Sequence, residues 1–153
     1  MPKEENIPFQ AIIENIYDPV FKDYGFEIHG EPEWSGNGEY KITAKKYNMK
    51  LIFYLGISHL FYYCDVGIKL SNELQEKINN ETGKGSLTVN TIATCLDAEF
   101  TLSKKASQTK EEIIEKFNSH KETLLKYCQG ILSGDLSDWV KVVNCLKEKG
   151  ESS

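Results

Sequence analysis

The sequence predicts an α+β fold: an N-terminal helix, a four-stranded antiparallel meander, then C-terminal helices packed on the sheet. Three observations predict it. Apolar residues near the start recur at helical spacing, from Phe9 through Ile12, Ile13, Ile16, Tyr17, Val20, Phe21 to Tyr24. Between residues 26 and 70 the pattern alternates, as strands require. After Leu70 helical spacing returns. At 153 residues the chain is expected to be one domain, 1–153, with a helix over 7–24, a sheet over 26–70 and a mainly helical part over 71–150.

Each element has its own signal. Pro19 interrupts the first helix, so a kink there, or a second short helix capped by Asp18, is expected. Gly25 is its expected stop. Phe26 and Ile28 begin an extended segment, and Glu31 to Gly38 is a turn-rich loop. Tyr40, Ile42 and Ala44 alternate with Lys41, Thr43 and Lys45, and Tyr47-Asn48 suits a turn. Strands over 50–55 and 60–70 complete the meander, antiparallel because the connections are too short for crossovers.

Ser71 to Asn80 reads as a short helix, and Glu81 to Ser86 as a loop. Over 87–99 the sequence leaves two readings open. Val89, Ile92, Ala93 and Leu96 have helical spacing with Ser86 as a cap, but five β-branched residues also suit a strand. Thr109-Lys-Glu-Glu112 is a capping box heading a long helix with Ile113, Phe117, Leu124, Tyr127, Cys128 and Ile131 on its apolar side. Ser133 to Leu136 turns the chain, and Ser137 caps a last helix bearing Trp139, Val142, Val143 and Leu146.

Composition narrows the function classes. A net charge of −5 disfavours a general nucleic-acid binder, which needs a basic footprint. All eighteen basic residues are lysine, so bidentate arginine clamps on phosphate are absent. No apolar run approaches membrane-spanning length, so no membrane partner is expected. Cys64, Cys95, Cys128 and Cys145 form no C-x-x-C pair and sit in apolar patterns, which suits free thiols in a reducing cytoplasm.

No catalytic motif stands out. His29, His59 and His120 fall on a strand, a turn and mid-helix, with no ligand spacing, so neither a metal nor another cofactor is expected. Glu111, Glu112, Asp135 and Asp138 lie where helix starts favour negative charge. Gly83-Lys84-Gly85-Ser86 lacks the first glycine and the strand of a phosphate loop.

The strand from Leu60 to Leu70 is the best functional clue. Its even positions, Leu60, Tyr62, Cys64, Val66, Ile68 and Leu70, make a core face. Its odd positions, Phe61, Tyr63, Asp65, Gly67 and Lys69, mix aromatics with charges. Phe61, Tyr63, Asp65 and Lys69, with Tyr54 on the neighbouring strand and Trp34 in a flanking loop, form the candidate interaction surface. Asp65 and Lys69 argue for exposure, because both are costly to bury unpaired.

The apolar first helix ending in Tyr24-Gly25-Phe26, the Leu51–Leu70 hairpin and the Ile131-to-Trp139 helix–turn–helix resemble, in layout, small bacterial immunity proteins of polymorphic-toxin systems and similar α+β domains. The resemblance implies a cytoplasmic protein that binds and blocks a cognate toxin, with an acidic surface suited to a basic nuclease. The first expectation is therefore a non-enzymatic protein-interaction domain with a protein partner. The second is a small-molecule or lipid-binding module whose cavity is lined by Tyr40, Phe53, Tyr54, Tyr62 and Tyr63. The third is an enzyme of unrecognised type.

Overall fold

The computed structural model describes residues 8–34, 38–58, 61–78, 85–101 and 106–148. Among these the fold is α+β, with an N-terminal helix and a set of C-terminal helices packed on one face of an antiparallel sheet. Helix α1, Phe9–Tyr24, buries the expected stripe of Phe9, Ile12, Ile13, Ile16, Tyr17 and Val20. It runs unbroken through Pro19. That residue cannot bond the Asn15 carbonyl, but Asn15, Asp18 and Pro19 are all exposed, so water can satisfy it. Gly25, at φ 81°, ends the helix and donates its N–H to Phe21 O at 2.8 Å.

The strands are β1 (Glu27–Ile28), β2 (Glu33–Trp34), β3 (Glu39–Lys46), β4 (Met49–Ser58), β5 (Phe61–Leu70) and β6 (Ser86–Thr88). Their order is β1-β3-β4-β5-β6, with β2 also paired to β3, and every pairing is antiparallel. The expected meander is β1, β3, β4 and β5, with β1 cut to two residues. Two strands go beyond it. β2 lies in the expected loop, and β6 extends the sheet past β5.

Residues 87–99 turn out to be both strand and helix. β6 ends at Thr88, whose side chain accepts the Thr91 N–H at 3.2 Å and so caps helix α3, Val89–Leu96. Ser86, the expected cap, lies within β6 instead. The two signals overlapped because the change of element falls inside one β-branched run.

Helix α2, Asn72–Lys77, is capped by Ser71 and buries Leu74. Helix α4, Lys110–Tyr127, starts with Thr109 accepting the Glu112 N–H. The Glu112 carboxylate reaches Gln108 N, one residue before the expected partner. The chain breaks at Cys128 before a short α5, Gln129–Leu132. Helix α6, Ser137–Glu148, begins beside Asp135, whose Oδ1 accepts both Ser137 N–H and Ser137 Oγ–H. Asp135, not Ser137, is thus the side-chain acceptor at this start.

Strand register assigns the faces. Ile42, Phe53, Val66 and their equivalents point to the helices, as do Leu51, Leu55, Ile68 and Leu70. Tyr62, Val66, Ile68 and Leu70 are buried as the even positions require, and Cys64 is half-buried; Leu60 lies outside the described residues. The buried residues of α1, α3, α4, α5 and α6 join these in one cluster. Tyr17 ties three layers together. Its ring meets Phe53 edge-on at 4.7 Å between centroids, and its hydroxyl donates to Phe117 O at 2.9 Å.

Candidate functional site: the outer face of the sheet

The odd positions of β5 occupy the face opposite the helices. Register lines them up in cross-strand rows. One row holds Glu39, Gly56 and Tyr63, the next Glu33, Lys41, Tyr54 and Asp65, the next Thr43, Ile52, Gly67 and Thr88, and the last Glu27, Lys45, Lys50, Lys69 and Ser86. Phe61 lies beyond Tyr63, opposite Ser58.

This face is open. Phe61 is 39% exposed and Tyr63 51%. Ile52 is 7% exposed yet stands outside the main core cluster. Opposite Ile52, the Tyr54 ring lies over the bare backbone of Gly67, 3.8 Å from where a Cβ would sit. Gly56, opposite Tyr63, leaves that ring without a cross-strand side chain to cover it. Glycine within a strand also allows another chain to approach closely.

The structure brings Tyr54, Phe61, Tyr63, Asp65 and Lys69 onto this one face. Trp34 is a correction. It pairs with Tyr40, whose partner is Leu55, so register puts it on the helix side. There, at the sheet's corner, it is 52% exposed and packs on Tyr40 at 4.5 Å between centroids.

No protein-family model, curated protein or solved structure matches this chain. The site therefore stands on its own chemistry.

Asp65 is half-buried because β5 has an unpaired stretch between two partners. Tyr62 exchanges backbone bonds with Ser107, and Gly67 to Lys69 pair with β6. In between, the Val66 N–H points out at the open edge, and Asp65 Oδ1 accepts it at 2.9 Å. His120 of α4 closes on the same atom, with Nε2 at 3.8 Å. Burial raises the Asp65 pKa, against lowering by the Val66 bond and by His120. Burial likewise lowers that of His120.

Nucleophilic or metal chemistry finds little support among the described residues. Burial pushes the Cys64 and Cys128 thiols up to about 12, far from the thiolate a nucleophile needs. No three His, Cys, Asp or Glu side chains converge as metal ligands. His59, Gly83 and Lys84 lie outside the described residues. No described helix is long and apolar enough to cross a membrane.

The aromatic cavity expected for a lipid-binding module is also corrected. Tyr40, Phe53 and Tyr62 face the helices, whereas Tyr54 and Tyr63 face outward, so the five cannot line one cavity. Phe53 and Tyr62 are fully buried in the core.

Two features escaped the sequence reading. His120 completes the buried stripe of Ile113, Phe117 and Leu124, a spacing that was there to be read. The lysine row was not, because it exists only once three strands are in register.

Proposed function

We propose that this chain is a non-enzymatic protein-interaction domain that docks a partner on the outer face of its sheet. Its most concrete form is a cytoplasmic immunity-type inhibitor that binds and blocks a cognate toxin. One observation carries the reading: Phe61 and Tyr63 stand exposed side by side on a face the helices leave open, beside Asp65 and the two strand glycines. Exposed aromatics next to a few charges are the usual anchors of protein interfaces. The half-exposed Asp65 carboxylate gives such an interface a directional polar contact.

The test is affinity capture with the full chain as bait, from its native host and with the neighbouring gene products present. Wild type should retain one partner in stoichiometric amount, and Phe61→Ser/Tyr63→Ser should lose it. Capture indifferent to the double substitution would overturn the reading. So would a partner-free monomer carrying a co-purified small molecule in native mass spectrometry.

A further inference from the structure

Lys45, Lys50 and Lys69 stand directly opposite one another on three adjacent strands of the outer face. Like charges in this arrangement work against the sheet, and opposite charges are the usual choice. Among the described residues no carboxylate forms an ion pair with any of the three; Glu27 ends the row beside Lys45, but its recorded contact is to His29 at 3.6 Å. By contrast Lys41, on the same face of β3, has Glu33 at 3.6 Å. On this face, then, Lys41 has a carboxylate partner, and the three lysines of the row have none among the described residues.

A concavity adjoins the row at the β3–β4 turn. It encloses about 370 Å³ and is lined by Lys45, Lys50 and Lys69 together with Asn48, Ser71 and Asn72. Lys46, the exposed Tyr47, Met49 and Leu70 also line it, and no acidic residue among those described does. Every charged group it presents is therefore positive, on a chain whose net charge is −5.

We infer that the lysine row receives carboxylates of an acidic protein partner, at the far end of the face from Phe61 and Tyr63. This rests on the docking reading above and specifies the partner's charge there. Geometry favours an acidic protein over a lone phosphate. Strands lie about 4.8 Å apart, so the three lysine stems spread over roughly 10 Å, suited to several separate carboxylates. From Lys69 to Phe61 along β5 is about 26 Å at about 3.3 Å per residue, within one standard interface footprint. A basic nuclease, the partner an acidic surface would suggest, fits poorly against this end.

The test uses hexaglutamate as probe, followed by backbone amide NMR on the full chain at low ionic strength. Shifts should concentrate at residues 45, 50, 69 and the β3–β4 turn. The Lys45→Gln/Lys50→Gln/Lys69→Gln variant should bind the probe roughly tenfold more weakly, the scale of a few exposed ion pairs together. Phe61→Ser/Tyr63→Ser should bind it unchanged. Shifts spread evenly over surface lysines, or tighter binding of inorganic phosphate or a short DNA duplex at the row, would overturn the inference. A partner captured through Phe61 and Tyr63 but bound equally by the triple variant would overturn it while the docking reading stood. Hexaglutamate selecting the row with no partner captured would overturn the docking reading and, with it, the assignment of those carboxylates to a protein.

Discussion

His120 Nε2 stands 3.8 Å from Asp65 Oδ1, and in the neutral-histidine state neither atom carries a proton for the other. His120 Nδ1 is 2.9 Å from Lys116 O, and a carbonyl only accepts, so Nδ1 holds the ring proton. Nε2 is left buried with a bare lone pair and no hydrogen bond among the described residues. A single proton between the two groups would complete the contact. Burial sets the opposite shifts: His120 resists taking the proton, and Asp65 resists ionising.

The pH dependence of stability follows from those signs. For His120, lowered below its usual 6.5, stability is present above that value and falls as pH drops through it, because the unfolded chain protonates first. For Asp65, raised above 3.8, stability is present below that value and is lost as pH rises through the folded pKa. Asp65→Asn should therefore raise stability at about pH 7, by under about 1 kcal/mol given the screening at a half-exposed group. His120→Gln should flatten the decline below His120's usual 6.5. Urea midpoints at and below neutral pH check both; an unchanged slope in His120→Gln would count against the assignment.

Phe61 and Tyr63 should contribute to binding and hardly to folding. Both are exposed on the outer face, away from the core cluster. Ser at either position should change stability by no more than about 0.5 kcal/mol, the usual range for surface sites. A thermal melt of each variant checks this. A larger loss would mean that the rings pack on the sheet as structure.

Lys50 is the middle of the lysine row. Lys50→Glu places a carboxylate between Lys45 and Lys69 and converts two repulsions into attractions. Cross-strand pairs of this kind are worth roughly 0.2–1 kcal/mol each, so the variant should be more stable by about 1 kcal/mol at low salt. The gain should shrink as salt screens it. Urea melts at two ionic strengths give the comparison, and a variant no more stable than wild type would remove the argument that the row costs stability.

How much of this could be read from the sequence depends on the range of the signal. Periodicity is local, so α1, the β3–β5 meander and the even face of β5 were legible, Tyr62 to Leu70 included. Exposure of Phe61 and Tyr63 depended on what the helices cover, and only Asp65 and Lys69 hinted at it. Trp34 was misplaced because a two-residue strand, β2, sets which way its ring points. The pairing of Lys45 with Lys50 follows from the tight Tyr47-Asn48 turn, but Lys69 joins them only through the β4–β5 register. Rows across strands are tertiary facts that no single strand's pattern contains.

Lys46 shows the opposite use of lysine. It lies on the helix side, and its ammonium donates to Tyr24 O at 3.2 Å and to Leu132 O, while standing 5.2 Å from the centre of the Phe26 ring. These carbonyls belong to the last residues of α1 and α5, where helices leave acceptors unfilled and cations are favoured. Lys46→Met keeps the apolar stem and removes the donor from both. Charge-assisted bonds are worth about 1.5–3 kcal/mol, so a loss of roughly 2 kcal/mol is expected. Lys41→Met, which breaks only the exposed contact to Glu33, should cost under about 1 kcal/mol. Parallel urea titrations of the two variants decide the matter: equal losses would show that Lys46 is no more structural than a surface lysine.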